Sequence, residues 1–253
     1  MTMQPYSVLA TDYDGTFARH GTATSATRDA VTRFRAAGGV PVLVTGREIP
    51  DLQRVFDGLH LFDLVVAENG ALLYWPDTRR EQLLGDPPES SLVEALRARH
   101  VSPLSIGRVV IATYEPHETD ALEIIRDLGL DRRVIFNKGA VMILPSGVDK
   151  ATGFAAALRE VGRSASAAIG VGDAENDHVL LQHCGLGAAV QNAVPSLKAC
   201  ADLVLDRAHG AGVEELIDRM IDGSLTHVPR RERGGSLDPA QAFRRDSHGS
   251  PLD

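Results

Sequence analysis

Near the start of the chain a short apolar run ends in Asp12-Tyr13-Asp14-Gly15-Thr16, which sets two aspartates two residues apart. On an extended strand that spacing turns both carboxylates to one side. Paired carboxylates are suited to nucleophilic attack, proton transfer or binding of a hard cation. Alone, the Asp-Gly step also reads as a turn. Three further apolar runs or amphipathic segments carry compatible groups at their ends: Thr45-Gly46-Arg47, Lys150, and Gly172-Asp173-Ala174-Glu175-Asn176-Asp177. Open α/β folds build their sites at the carboxyl ends of strands. Asp12, Asp14, Asp173 and Asp177 would then share one crevice. Two bare carboxylates about 4 Å apart repel by roughly 4 kcal/mol at an effective dielectric of 20. A divalent cation offsets that repulsion. Oxygen donors without histidine or thiolate favour Mg²⁺ over zinc.

The elements that would position these groups follow from hydrophobic period. Ser7 to Thr11, Val40 to Val44 and Leu64 to Ala67 read as buried strands. Between them, Ala26, Ala30, Val31 and Phe34, then Leu52, Val55, Phe56 and Leu59, keep helical spacing. The pattern resumes with Phe154, Ala157, Leu158 and Val161 ahead of a strand at Ala167 to Val171, and shorter strands are expected at Gly187 to Val190 and Leu203 to Leu205. This alternation predicts an α/β, Rossmann-like doubly wound parallel sheet. The interval between is different. Two helices, about Ser90 to His100 and His117 to Leu128, accompany closely spaced strands at Val109 to Thr113, Val134 to Phe136 and Val141 to Leu144, the last two separated by Asn137, Lys138 and Gly139. Antiparallel pairing is expected there. The division is a core at 1–75 and 146–225, an inserted α/β lid at 76–145 and, at 226–253, an aperiodic segment expected to be a disordered tail. Leu92, Leu96, Val109, Ile111, Ile124, Ile125 and Leu128 are expected to form the lid's own core.

Composition narrows the function. The 253 residues are 43% hydrophobic and carry a net charge of −8, with no basic stripe of the kind nucleic-acid binding requires. No nucleic acid is expected as a partner. No apolar run reaches membrane-span length, and the two cysteines, Cys184 and Cys200, lack metal-ligand spacing, so a cytoplasmic protein without a membrane partner is expected. Gly170-Val171-Gly172 could open a dinucleotide-binding loop, but Glu175 stands where its third glycine belongs.

The four segments, in this order and on these elements, resemble the haloacid dehalogenase superfamily of aspartate-nucleophile phosphatases over about Ser7 to Ile221. An insertion between Thr45 and Lys150, with Glu68-Asn69-Gly70 after the third strand, is similar to subfamily IIB, the Cof-type, sugar-phosphate phosphatase-like enzymes with a C2 cap. The resemblance implies a Mg²⁺-dependent phosphatase acting on a small phosphorylated metabolite, a sugar phosphate or a phosphoglycolate-like acid, through an aspartyl phosphate. It makes Asp12 the nucleophile and Asp14 the general acid and later base. Thr45, Gly46 and Lys150 would surround the phosphoryl oxygens, with Asn69 and Asn176 bordering the substrate. It assigns Asp12, the backbone carbonyl of Asp14 and Asp173 as Mg²⁺ ligands, supported by Asp177.

Some readings stay open in the sequence. Arg47 can touch phosphate or pair on the surface. Arg79, Arg80, Arg132, Arg133 and Lys138 can meet a second anionic group or serve as ordinary surface charge. A phosphosugar mutase of the same superfamily would use the same aspartyl phosphate. A receiver-like phosphorylation switch also uses clustered aspartates, a hydroxyl and a lysine, although receivers are shorter and phosphorylate an aspartate on a later strand. Oligomeric state is not readable from the sequence.

Overall fold

The computed structural model of the protein describes residues 6–228. Eight strands lie side by side in one sheet. Six of these, in order across the sheet β12 (Leu203–Val204), β11 (Leu186–Ala189), β10 (Ala168–Gly172), β1 (Val8–Asp12), β2 (Val40–Val44) and β3 (Leu64–Ala67), run parallel. The chain leaves β1 for β2 on one side and returns to β10 on the other. The strand order therefore reverses beside β1, and that is where a crevice opens at the carboxyl ends.

Period-2 alternation decides what each β1 residue faces. Leu9 joins Leu43, Phe34, Leu216 and Ile217 under α1 (Ser25–Ala36) and α8 (His209–Asp222). Val8 and Ala10 join Phe154, Ala157 and Leu180 under α5 (Lys150–Glu160) and α6 (His178–His183). Asp12 has the parity of Val8 and Ala10, so it projects toward the start of α5. Tyr13 goes the other way, into rings of Phe17, Phe56 and Phe62 whose neighbouring centroids lie 5.3–6.3 Å apart.

The hydrophobic pattern leads one to expect the lid from Pro76. The big sheet in fact continues past that point. β4 (Leu72–Trp75) and β5 (Arg80–Leu83) form an antiparallel hairpin on the edge of β3, with Leu72 opposite Leu83 and Trp75 opposite Arg80. All four β5 residues are exposed, so the strand lacks the alternation that would mark it. Beyond it, β6 (Ser105–Ile106), β7 (Ile111–Tyr114), β9 (Ala140–Pro145) and β8 (Arg132–Asn137) pair in that order as a second, antiparallel sheet. Its outer face is covered by α3 (Ser90–Ala98) and α4 (Glu118–Asp127), around Leu92, Leu96, Ile111, Ile124, Ile125 and Ile143. Two residues expected in that core lie elsewhere. Val109 packs with Ala71, Met142 and Val148 where the two sheets meet, and Leu128 is exposed.

Of the expected tail, Thr226–Val228 are described, and Val228 packs on the core beside buried Leu225. The rest of that segment lies outside the described residues. Among the described residues no helix is long and apolar enough to cross a membrane.

Candidate active site

Lys150 is the first residue of α5, and local chemistry explains how it gets there. The Asp149 side chain accepts from the Thr152 amide at 2.8 Å while the Thr152 hydroxyl accepts from the Asp149 amide at 2.9 Å, a reciprocal cap that fixes the helix start. The same helix end presses on Gly70, whose φ is +104° and where any Cβ would lie 1.9 Å from the Asp149 carbonyl oxygen. Only glycine permits that approach. The Lys150 ammonium is thereby buried between Asp12, 2.7 Å away, and Asp177, 2.6 Å away.

Asp177 has its other oxygen engaged, accepting the amides of Asp173 and Ala174 at 3.0 Å each. This folds the turn after β10 back on itself and presents Asp173. Asp173 accepts from Thr16 at 3.2 Å and from the Lys138 ammonium at 2.6 Å. One carboxylate oxygen each from Asp12, Asp173 and Asp177 lie within 4.8 Å of one another. Burial raises the Asp12 carboxyl to about 7, the Lys150 charge opposing and Asp177 and Asp173 adding to it. Burial also raises Asp173. For Lys150 burial acts downward, but the Asp12 and Asp177 carboxylates outweigh it and hold the ammonium charged.

These hard oxygen donors, short of positive charge, fit a divalent cation of the Mg²⁺ class. The backbone carbonyl of Asp14 faces the same space, since Lys138 reaches it at 3.3 Å while bound to Asp173. An ammonium bridging those two oxygens marks a cation position. Asp177 is spent on Lys150 and two amides, so it braces the cluster from behind.

The Asp14 side chain is held by Arg47, Nε to Oδ2 at 2.6 Å and Nη2 to Oδ1 at 2.8 Å. Arg47 also binds Asp51, four residues on in the first turn of the following helix. Of the two uses open to Arg47, the structure shows pairing, and with a candidate site residue. Thr45 is buried, its hydroxyl accepting the Arg47 amide at 3.1 Å, and Gly46 lines the cleft. Asn176 donates to Asn69 at 3.0 Å, Asn69 turns its own amide to Met142 of β9, and the Asn176 side-chain oxygen is buried with no partner among the described residues. Asp12, Lys150, Asp177 and Asp173 are thus joined by hydrogen bonds, as are Asp14, Arg47 and Thr45, and Asn69 and Asn176, while Gly46 lies beside Asn69.

Several neighbours carry no motif. Asn192, at the end of the β11 segment, donates to the Gly15 carbonyl at 2.8 Å and receives the His209 amide at 2.7 Å. The strand-end rule that found Asp12 applies equally to Asn192. Glu68 is buried with φ +51°, and its carboxylate accepts the amides of Arg108, Val109 and Val110 at 2.9–3.0 Å. Between the two sheets lies a cavity of about 550 Å³, bounded by Asp12, Asp14 and Arg47 on one side and Tyr114, Asn137 and Lys138 on the other.

A model of the haloacid dehalogenase-like hydrolases matches residues 9–99 and 102–217. The chain belongs to that family. It is 32% identical over 191 residues to phosphoglycolate phosphatase 2 of Saccharolobus solfataricus, covering 73% of this chain and 78% of that protein. Identity to the phosphoglycolate phosphatase of Methanothermobacter thermautotrophicus is 29% over 224 residues, covering 84% and 98%. A haloacid dehalogenase-like hydrolase from Bacteroides thetaiotaomicron superposes with a TM-score of 0.72 at 19% identity, over 85% of this chain and 99% of that one. A subclass IIB sugar phosphatase gives 0.68 at 18%, over 84% and 98%. Family and relatives together make this haloacid dehalogenase-like protein a phosphatase, a hydrolase of phosphoric monoesters.

Proposed function

We propose that this phosphatase is Mg²⁺-dependent, works through a phosphoryl group carried on Asp12, and acts on a small phosphorylated acid of the phosphoglycolate kind. The observation that carries the reading is the different surroundings of two carboxylates that stand two residues apart in sequence. Asp12 is buried against Lys150, while Asp14 is held by Arg47 at the cavity wall. Identical side chains in such different surroundings suit different jobs.

In this reading Asp12 attacks phosphorus in line with the ester oxygen, forming an oxygen–phosphorus bond as the ester bond breaks. Asp14 gives its proton to the leaving oxygen. It then takes a proton from the water that attacks the phosphorus of the acyl phosphate, which releases phosphate and restores Asp12. Lys150, the Thr45 hydroxyl and the Gly46 amide neutralise or bind the phosphoryl oxygens, the electrostatic contribution on which phosphoryl transfer depends. Asp12, Asp173 and the Asp14 carbonyl would hold Mg²⁺, which supplies Lewis-acid charge to the same oxygens. The insert, about residues 86–147, serves as a cap over the cleft. The preference for a short acid leans on the phosphoglycolate phosphatases among the relatives. A cytoplasmic setting goes with such a substrate.

The test is phosphate release from a panel containing 2-phosphoglycolate, hexose phosphates and p-nitrophenyl phosphate, with Mg²⁺ or with EDTA. Mg²⁺-dependent release, highest for 2-phosphoglycolate, is expected. Full turnover in excess chelator removes the metal, and an isomerised sugar phosphate without free phosphate makes the enzyme a mutase.

A further inference from the structure

We propose that Lys138, at the tip of the β8–β9 hairpin, determines specificity by pairing with a second anionic group, a carboxylate close to the phosphoester of the substrate. The proposal rests on the phosphatase reading above and deepens it.

Five cations of the insert and its approach could have met a substrate anion, and the structure accounts for four otherwise. Arg80 lies over the Trp75 ring at 3.6 Å and pairs with Glu160. Arg132 is buried, bound to Glu89 and to the carbonyls of Asp86, Pro87 and Val109. Arg133 holds Val148 and Asp149 beside α5. Arg79 is in the β4–β5 turn, away from the cavity lining. Lys138 alone of the five lines the cavity. The other cations there, Arg47 and Arg54, are both paired with aspartates of the core, Asp51 in common.

Backbone geometry adds an independent observation. Asn137 pairs with Ala140, so the hairpin turns on Lys138 and Gly139, with φ +50° and +82°. Both central residues of such a turn lie in the left-handed region, where Asn-Gly is the favoured pair. A lysine there costs on the order of 1 kcal/mol in backbone strain. Nothing in the hairpin's own packing calls for it, since the side chain leaves the lid and crosses to Asp173. Next to it the Asn137 side-chain oxygen is buried without a hydrogen-bond partner, on the same cavity wall. An ammonium donor and an unspent amide acceptor thus stand side by side where the lid faces the carboxylate cluster, and of the two only the ammonium can pair with an anion.

The reach of the ammonium limits what it can read. Its nitrogen lies 2.6 Å from Asp173 and 3.3 Å from the Asp14 carbonyl, the oxygens fitted for a cation. A divalent cation held by those oxygens would repel the half-exposed ammonium, which lines the cavity and would be free to meet an anion there. Tethered there, it meets an anion only if that anion lies near the phosphoryl group. A carboxylate one methylene from the ester oxygen satisfies this, whereas a neutral hexose offers no charge. Cavity volume does not discriminate between these substrates, but the position of the charge does.

The test compares 2-phosphoglycolate with ethyl phosphate, which replaces the carboxylate by a methyl group, on wild type, Lys138→Met and Lys138→Arg. Lys138→Met should lower kcat/KM for 2-phosphoglycolate about 100-fold and change that for ethyl phosphate less than about 3-fold, in line with loss of a charge-assisted contact. Lys138→Arg should recover most of the loss. Parallel falls on both substrates, or no fall, overturn the proposal. Calorimetric binding of the same two ligands, with Mg²⁺, to the Asp14→Asn protein, which keeps every oxygen proposed to hold the cation, with and without Lys138→Met reads the discrimination apart from full turnover. If wild type hydrolyses neither ester, the substrate reading fails. Lys138-dependent preference for 2-phosphoglycolate in binding would still uphold the present inference, and its absence would overturn it.

Discussion

Arg47 grips both carboxylate oxygens of Asp14, at 2.6 and 2.8 Å, and its remaining nitrogen is taken by Asp51. A bidentate clamp fixes direction as well as charge, and it fixes a side chain that is otherwise more than a third exposed. Positioning of a proton-transfer group is worth little when the leaving group is good and much when it is poor. Arg47→Met should therefore lower kcat on an alkyl phosphate by tenfold to a hundredfold, on the order of 1.4 to 2.7 kcal/mol. p-Nitrophenyl phosphate should suffer only severalfold in its first step. Equal losses on both, or a change confined to KM, would make Arg47 a phosphate-binding residue instead.

The buried Asp12 carboxyl, raised to about 7 chiefly by burial, couples cation binding to pH. Below pH 7 the cation-free protein holds a proton on Asp12 that Mg²⁺ must displace. Affinity for Mg²⁺ should fall about tenfold per pH unit below 7 and level off above about 8. The stability sign follows from the same shift. Its folded value lies above the unfolded 3.8, so the cation-free protein binds the extra proton and loses stability as pH rises between those values. Titration calorimetry at pH 6 in two buffers of different ionisation heat should show close to one proton released per Mg²⁺. Identical heats in both buffers would contradict the assignment.

Glu68 joins the big sheet to the insert through three backbone amides, those of Arg108, Val109 and Val110. Hydrogen bonds to a charged acceptor contribute about 1.5–3 kcal/mol each. Glu68→Gln keeps the size but turns an NH₂ group toward amide donors. Hydrogen exchange at those three amides should accelerate at least tenfold, while amides of β1 and β2 keep their protection. Unchanged exchange at 108–110 would show that packing of Val109 against Ala71 and Met142 suffices to hold the joint.

The core of this site was legible because each of its groups sits at the end of a recognisable element. Asp12 ends an apolar strand, Thr45 another, Asp173 a third, and Lys150 opens an amphipathic helix. What stayed hidden depends on contacts between distant segments that leave no local pattern. β5 reads as polar loop because its four residues are exposed, although its backbone extends the sheet. Lys138 looked like one of five surface cations until a hairpin placed it against Asp173, 35 residues further along. Arg47 carries the same ambiguity in reverse, since its position after Thr45-Gly46 suggests phosphate and its side chain finds Asp14. Asp51 left no such signal, because Arg47 lies in the bend before the helix that begins at Ile49.

The two aspartates of the first segment make the sharpest test, since one substitution each should separate them. Asp12→Asn removes the proposed nucleophile, so neither a phosphorylated enzyme nor product should appear with any ester. The neutral amide also leaves the buried Lys150 with Asp177 as its one carboxylate partner, so folding of that variant should be verified by its far-UV spectrum. Asp14→Asn keeps Asp12 and its lysine intact and removes the proton donor and later base. p-Nitrophenolate leaves without help, so the first step should proceed and the second, which needs water activated, should stall. The expected trace is a burst of p-nitrophenol no larger than the enzyme present, followed by slow turnover, with an added phosphoryl mass on the peptide containing Asp12. A burst from Asp12→Asn and none from Asp14→Asn would exchange the two roles. No burst from either, with full folding, would mean that water attacks phosphorus directly and that Asp12 serves the cation alone.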